Sequence, residues 1–141
     1  MRIAAALVML SLAFASAGCG KNASDMSRPS YLLDRLRQHW AMAKTDLQKE
    51  KPDYGIVGGL GADLSGQVTR MIEQEYTGQN KAELLKRLAA LSAGYDSTIS
   101  PMFAPTAHEI ALRSGYTDAQ LREAFAKLDV EYEAMIKLTQ Q

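Results

Sequence analysis

The regular helical pattern of this chain begins at Tyr31. From there, apolar residues recur every three or four positions, which is the spacing of one face of an α-helix. Ser30 is a suitable N-cap, and Pro52 disfavours the helical conformation at Lys51. We therefore predict a first helix over Tyr31 to Lys51. Its predicted buried positions are Leu33, Leu36, Trp40, Ala43 and Leu47.

The same spacing, together with capping residues, predicts four more helices. The second runs from about Asp63 to Tyr76, and the third from Asn80 to about Ser100. A Thr placed three residues before a Glu or Gln is a capping pattern; it predicts a short helix over about 108–115 and a last helix from Thr117. The predicted core positions are Leu64, Val68, Met71, Ile72, Leu84, Leu85, Leu88, Leu91, Tyr95, Leu121, Phe125, Leu128, Tyr132 and Met135.

Residues 52–66 separate the first two predicted helices and carry five glycines. We predict a loop here, because glycine supplies the positive backbone angles that many loops need. No segment of the sequence alternates polar and apolar residues over the length of a strand. The expected fold class is all-α, a small antiparallel bundle of about four to five helices over residues 31–141.

Charge is distributed unevenly between the first and last predicted helices. Residues 28–51 hold six basic and three acidic side chains, and residues 117–141 hold three basic and five acidic ones. Two helices of opposite charge bias are suited to pack side by side. Two helices whose charged faces point into solvent and never meet would give the same pattern. Both arrangements stay open at this stage.

The amino-terminal segment has the order of a secretion signal. Arg2 gives a positive start, residues 3–15 carry no charge, and small residues lead to Cys19, the single cysteine of the chain. Ser16-Ala17-Gly18-Cys19 resembles the lipobox of bacterial lipoprotein signal peptides, whose usual Leu is replaced here by Ser16. The resemblance implies a signal peptide over residues 1–18, lipidation of the Cys19 thiol and a flexible tether over residues 19–30.

The same resemblance implies a location in the cell envelope. Gly20, rather than Asp, follows the cysteine, and this is what the family's sorting rule associates with the outer membrane, facing the periplasm in a Gram-negative cell. Two other interpretations stay open. One is ordinary secretion with cleavage after Ala15 or Ala17, and the other is an uncleaved helix buried in the core.

Composition narrows the classes of function. The 141 residues are 47% hydrophobic and hold 16 basic and 16 acidic side chains, which is typical of one small domain and gives no net charge for nucleic-acid binding. The two histidines, His39 and His108, are too few for a usual zinc site. No nucleophile motif or pair of carboxylates at catalytic spacing is present. We expect no catalytic residue, metal, cofactor or nucleic-acid partner.

One segment has the pattern of a DNA-binding motif. Residues 107–126 resemble the helix-turn-helix of AraC-type regulators, with Ala111 in the first helix, Gly115 at the turn and Leu121 in the second helix. The polar residues of that second helix include two acidic side chains, Asp118 and Glu123, which suit a phosphate backbone poorly. We interpret the segment as a packing motif.

The candidate partner-binding residues are large apolar side chains in the predicted loops: Tyr54, Ile56, Val57, Leu60, Met102 and Phe103. Such residues either tuck under the bundle or form a contact surface. The leading hypothesis is a lipid-anchored, non-enzymatic envelope protein that docks an envelope protein partner or supports an envelope assembly. The alternative is a periplasmic carrier or sensor with an apolar ligand between helices near Trp40, Met42 and Tyr95.

Overall fold

A computed structural model describes residues 29–106 and 108–140. This part of the chain forms five α-helices, a short 3-10 turn and a two-stranded antiparallel sheet, which confirms the all-α fold class of a small helical domain. The helices are α1 (Pro29–Asp46), α2 (Tyr54–Asp63), α3 (Gly66–Glu75), α4 (Lys81–Thr98) and α5 (Asp118–Leu138). The 3-10 turn is Ser100–Met102, and the strands are β1 (Phe103–Pro105) and β2 (Ile110–Leu112).

Helix α1 follows the predicted pattern closely. All five of its predicted core positions, from Leu33 to Leu47, are buried. The helix begins at Pro29, where a proline costs little because the first-turn amides have no intrahelical partner, so Ser30 lies inside the helix and not at its N-cap. It ends at Asp46, five residues before the predicted end, and a turn leads from there to Pro52.

Helix α2 shows that the predicted loop over residues 52–66 is wrong for most of its length. The Asp53 carboxylate caps the helix by accepting a hydrogen bond from the Gly55 amide at 2.9 Å. Val57 and Leu60 are fully buried, and Leu64 follows them at the next helical spacing. Burial of this apolar stripe outweighs the low helix propensity of the glycines between its members.

Helices α4 and α5 confirm the corresponding predictions. The Thr117 hydroxyl accepts from the Gln120 amide at 3.3 Å, and the Gln120 side chain accepts from the Thr117 amide at 2.9 Å, which completes a capping box. Asn80 occupies the N-cap position of α4. The buried residues of the two helices are Leu84, Leu88, Leu91, Tyr95, Leu121, Phe125, Leu128, Tyr132, Met135 and Ile136.

The predicted helix over 108–115 is wrong, because a hairpin occupies that segment. Strand β1 pairs with β2 in the register Phe103 to Leu112 and Pro105 to Ile110. The Thr106 hydroxyl accepts from the Glu109 amide at 3.0 Å, so the pair that suggested a helix cap closes the turn between strands. The first helix of the helix-turn-helix resemblance is therefore not formed either.

Helices α1 and α5 pack side by side around Trp40. The Trp40 ring stacks on Phe125 at a centroid distance of 4.9 Å and on Tyr132 at 4.4 Å. Its indole N–H donates to Asp129 at 2.8 Å, and Lys44 binds the other oxygen of that carboxylate at 2.5 Å. Of the two arrangements that the charge pattern left open, packed helices are the correct one.

None of the helices in the described part of the chain combines the length and apolar character that a membrane crossing requires.

Candidate functional site

The predicted lipidation site lies outside the described residues. Cys19, the signal peptide over residues 1–18 and the tether as far as residue 28 all belong to that segment. Helix α1 begins at Pro29, so it includes the last two residues of the predicted tether, 29 and 30. The sequence resemblance alone therefore indicates lipidation of Cys19.

Four of the six candidate partner-binding residues are core residues. Val57, Leu60, Met102 and Phe103 are buried, whereas Tyr54 and Ile56 are partly exposed. These last two lie on the first turn of α2. A partner that contacts the surface of this domain meets only Tyr54 and Ile56 of the predicted set.

The phenol of Tyr54 joins the start of α2 to the start of α5. Its hydroxyl donates to the Asp118 carboxylate at 2.6 Å, and its ring lies 6.2 Å from that of Phe103. The hydrogen bond to Asp118, aided by partial burial, raises the pKa of Tyr54. Tyr54 therefore stays neutral. Its hydrogen bond holds the first turn of α2, which also carries Ile56, against the start of α5.

The three residues of the alternative apolar-ligand site face different surroundings. Trp40 is 1% exposed and is enclosed by its two ring partners. The Tyr95 hydroxyl donates to the carbonyls of Val57 and Gly58, each at 2.9 Å. Met42 is 57% exposed. The space next to Trp40 that the carrier hypothesis needs is filled by Phe125 and Tyr132.

Glycines let the backbone of α2 lie directly on three neighbours. A Cβ at Gly58 would come within 2.8 Å of Ile110 Cδ1, and one at Gly61 within 3.0 Å of Tyr95 Cε1. A Cβ at Gly59 would lie 3.0 Å from Cε1 of the His39 ring. The signals that identify α2 as a helix are the Asp53 cap and the spacing of its buried residues.

Asp63, at the end of α2, is the centre of a polar cluster with two residues of α1. Its side chain is 6% exposed, and one carboxylate oxygen accepts from Arg35 Nη2 at 2.6 Å. The other oxygen contacts His39 Nδ1, and His39 Nε2 donates to the carbonyl of Ile56 at 2.8 Å. The hydrogen bond that Arg35 donates to Asp63 raises the pKa of Arg35.

This cluster ties α1 to both ends of α2, and both ring nitrogens of His39 have partners within it. A carbonyl oxygen only accepts hydrogen bonds, so His39 Nε2 carries a proton and is occupied by Ile56. A general base needs a free ring nitrogen that faces a substrate. The distance along the sequence, 24 residues between His39 and Asp63, hides the pair from sequence analysis.

Asp46 is a second buried carboxylate, only 2% exposed. It accepts from the Asp53 amide at 2.5 Å and pairs with Lys49 at 2.7 Å. The hydrogen bond from Lys49 lowers the pKa of Asp46, with a further contribution from the Asp53 amide. Asp46 therefore holds the turn between α1 and α2 in place.

An apolar groove runs between α1 and the first turn of α2, next to the turn that joins the two helices. Its volume is about 370 Å³. We call it the Met42 groove, after its exposed large apolar side chain. It is lined by Ala41, Met42, Thr45, Asp46, Lys49 and Ile56.

Metal-ligand residues are not gathered in the described ranges: no three His, Cys, Asp or Glu side chains come close enough together there to hold an ion. His108 is exposed in the segment between the strands, not in a helix. His39 is engaged by Asp63 and Ile56.

Comparisons of the chain with protein-family models, with curated proteins and with solved structures find no match. The site is therefore interpreted from its own residues: Cys19, which lies outside the described residues, the partly exposed pair Tyr54 and Ile56, and the Met42 groove, which Ile56 lines.

Proposed function

We propose that this protein is a lipid-anchored, non-enzymatic component of the cell envelope whose helical domain docks an envelope protein or supports an envelope assembly. The observation that carries the proposal is the position of the only thiol. Cys19 directly follows Ser16-Ala17-Gly18, which in turn follows an uncharged apolar segment over residues 3–15. A free cysteine in an oxidising compartment needs a chemical role, and lipidation supplies one.

Acyl chains on Cys19 account for membrane attachment without any membrane-binding surface on the domain. Each buried methylene contributes about 0.8 kcal/mol, so one chain holds a protein marginally and two or three hold it stably. Residues 20–28 separate Cys19 from the first described helix. Nine residues reach at most about 30 Å when extended, which confines the domain near one membrane. Confinement raises its effective concentration for partners on that membrane.

The Met42 groove is the proposed contact surface. Met42 is a flexible, polarisable side chain that is 57% exposed, and Ile56 adds a partly exposed apolar wall across the groove. The Asp46 and Lys49 ion pair closes one end. The occupant that fits is an apolar side chain from the surface of an envelope protein, with a polar neighbour that meets the ion pair.

The anchor is tested by moving the thiol. Cys19→Ser should abolish palmitate labelling in the native cell and release the protein from membranes. The matched control is the double variant Cys19→Ser with Ser24→Cys, which keeps one cysteine but places it away from the lipobox-like motif. The proposal predicts no labelling of either variant. Labelling of the double variant, or full membrane retention of Cys19→Ser, would contradict it.

The contact surface is tested by site-specific photo-crosslinking in the native cell. A photoreactive amino acid at Met42 should form a discrete adduct with an envelope protein. The control position is Val130 on α5, which is 69% exposed and lies outside the groove. Equal adducts at both positions, or none at Met42, would argue against docking at this groove.

A further inference from the structure

A second groove, on the other side of α2, holds one cation and one anion that are not paired with each other. It lies between α2, the end of α4 and the hairpin, and its volume is about 530 Å³, within the usual range of small-ligand pockets. We call it the Arg113 groove. It is lined by Gly58, Gly61, Ala62, Tyr95, Asp96, Ser100, Phe103, Ile110 and Arg113.

Arg113 is held in place by the hairpin that carries it. Its backbone amide donates to the Met102 carbonyl at 2.8 Å, and its side-chain Nε donates to the Phe103 carbonyl at 2.8 Å. Within residues 29–106 and 108–140, no carboxylate lies at ion-pair distance from its guanidinium. By contrast, Arg35 and Arg87 bind carboxylates at 2.6 and 2.9 Å. The two Nη groups of Arg113 thus remain for an anion from outside the domain.

Asp96, on α4, supplies the negative charge among the lining residues. It is exposed on α4, and among the described residues no cation pairs with it and no donor hydrogen-bonds to it. Its neighbour Tyr95 cannot take over either role. The Tyr95 hydroxyl proton is given to the carbonyls of Val57 and Gly58, and burial raises the pKa of Tyr95 to about 12, so the phenol stays neutral.

The other lining residues include small ones and two aromatic rings. Gly58, Gly61 and Ala62 from α2 carry at most a methyl group, and the rings of Tyr95 and Phe103 give the groove apolar surface. A planar guanidinium fork matches a carboxylate in bidentate geometry, and a carboxylate accepts from an ammonium group. A ligand that binds both Arg113 and Asp96 therefore carries both a negative and a positive charge.

From this arrangement we propose that the Arg113 groove binds a small zwitterion, an amino acid or a short peptide, with the ligand carboxylate on Arg113 and its ammonium on Asp96. The ligand side chain then contacts the apolar lining residues, among them Phe103 and Ile110. This site is separate from the Met42 groove and does not depend on lipidation or on a protein partner. The protein would then respond to free amino acids or peptides in its compartment.

The test is titration calorimetry on the purified full chain in detergent. The probes are a panel of the common amino acids and of glycyl dipeptides. For each probe that binds, the N-acetylated form lacks the ammonium and the C-terminal amide lacks the carboxylate. We expect saturable binding of at least one probe, with each blocked form at least about tenfold weaker, as loss of one charge-assisted contact implies.

Variants separate the groove from general surface binding. Arg113→Gln and Asp96→Asn should each weaken binding by at least about tenfold. Asp96→Asn removes no contact within the domain, so it keeps the test valid if Arg113→Gln disturbs the hairpin. The controls are Arg70→Gln and Glu50→Gln, which remove exposed charges away from this groove and should leave affinity unchanged. Absence of binding by the whole panel, equal binding of blocked forms, or unchanged affinity of Asp96→Asn would overturn the proposal.

Discussion

Individual buried side chains decide where the helices of this domain meet. Trp40 joins α1 to α5 through two ring stacks and a hydrogen bond to Asp129. Its burial follows from the apolar spacing in the sequence, because a period of 3.6 residues depends only on local positions. The pairing of Asp63 with Arg35 could not be predicted in this way, since 28 residues separate the two and only the folded arrangement brings them together.

Two buried tyrosines make stability sensitive to alkaline pH. Burial raises the pKa of Tyr95 and of Tyr132 to about 12, compared with about 10 in an unfolded chain. The unfolded state therefore loses its phenolic protons first. Stability from these groups is intact below about pH 10, and it falls as the pH rises toward 12.

Tyr132→Phe isolates this effect because it keeps the ring that stacks on Trp40 and removes the titrating group. The free energy of unfolding, measured by urea denaturation between pH 9 and 12, should fall less steeply in the variant than in the original chain. Parallel curves over that range would show that the Tyr132 phenol titrates normally in the folded protein.

At the scale of elements, the two wrong predictions have the same origin. The glycines in 52–66 predict a loop, but in α2 they allow close contact with His39, Tyr95 and Ile110. Thr106 and Glu109 predict a helix cap, but they close a hairpin. Each local pattern suits two structures, and the packing of distant residues decides between them. The prediction is correct where the run of apolar positions is long and the helix has a capping box, as in α5.

Replacement by alanine should have opposite effects on stability at Gly59 and Gly66. Only Gly59 lies in the close contact between α2 and α1. Gly59→Ala gains helix propensity, but its methyl group would lie 3.0 Å from an imidazole that Asp63 and Ile56 hold in place. We expect a net loss of about 1 kcal/mol, in the range for overpacked sites. At Gly66 no atom lies within 4 Å of the new methyl group. Gly66→Ala should therefore be neutral or stabilise by up to about 1 kcal/mol.

Thermal or chemical denaturation of the two variants, side by side, measures this difference. Equal stability changes at Gly59 and Gly66 would mean that His39 moves aside at little cost and that the glycines of α2 are not needed for its contact with α1.

At the scale of the whole molecule, a compact helical domain follows a segment that has the features of an export and lipidation signal. The sequence predicts that segment directly, because the signal depends only on the order of charge, apolar residues and small residues along the chain. The grooves on the domain could not be predicted, since Met42, Ile56, Asp96 and Arg113 come from separate elements. The proposed function joins an anchor inferred from sequence to a groove that we propose as the contact surface.

Mass spectrometry of the intact protein from native membranes tests the anchor most directly. Lipidation predicts a polypeptide that begins at Cys19, lacks residues 1–18 and carries the added mass of a diacylglyceryl group and an N-acyl chain. A polypeptide with an unmodified Cys19 thiol, or one that retains Met1, would contradict the assignment of this protein as a lipid-anchored component of the envelope.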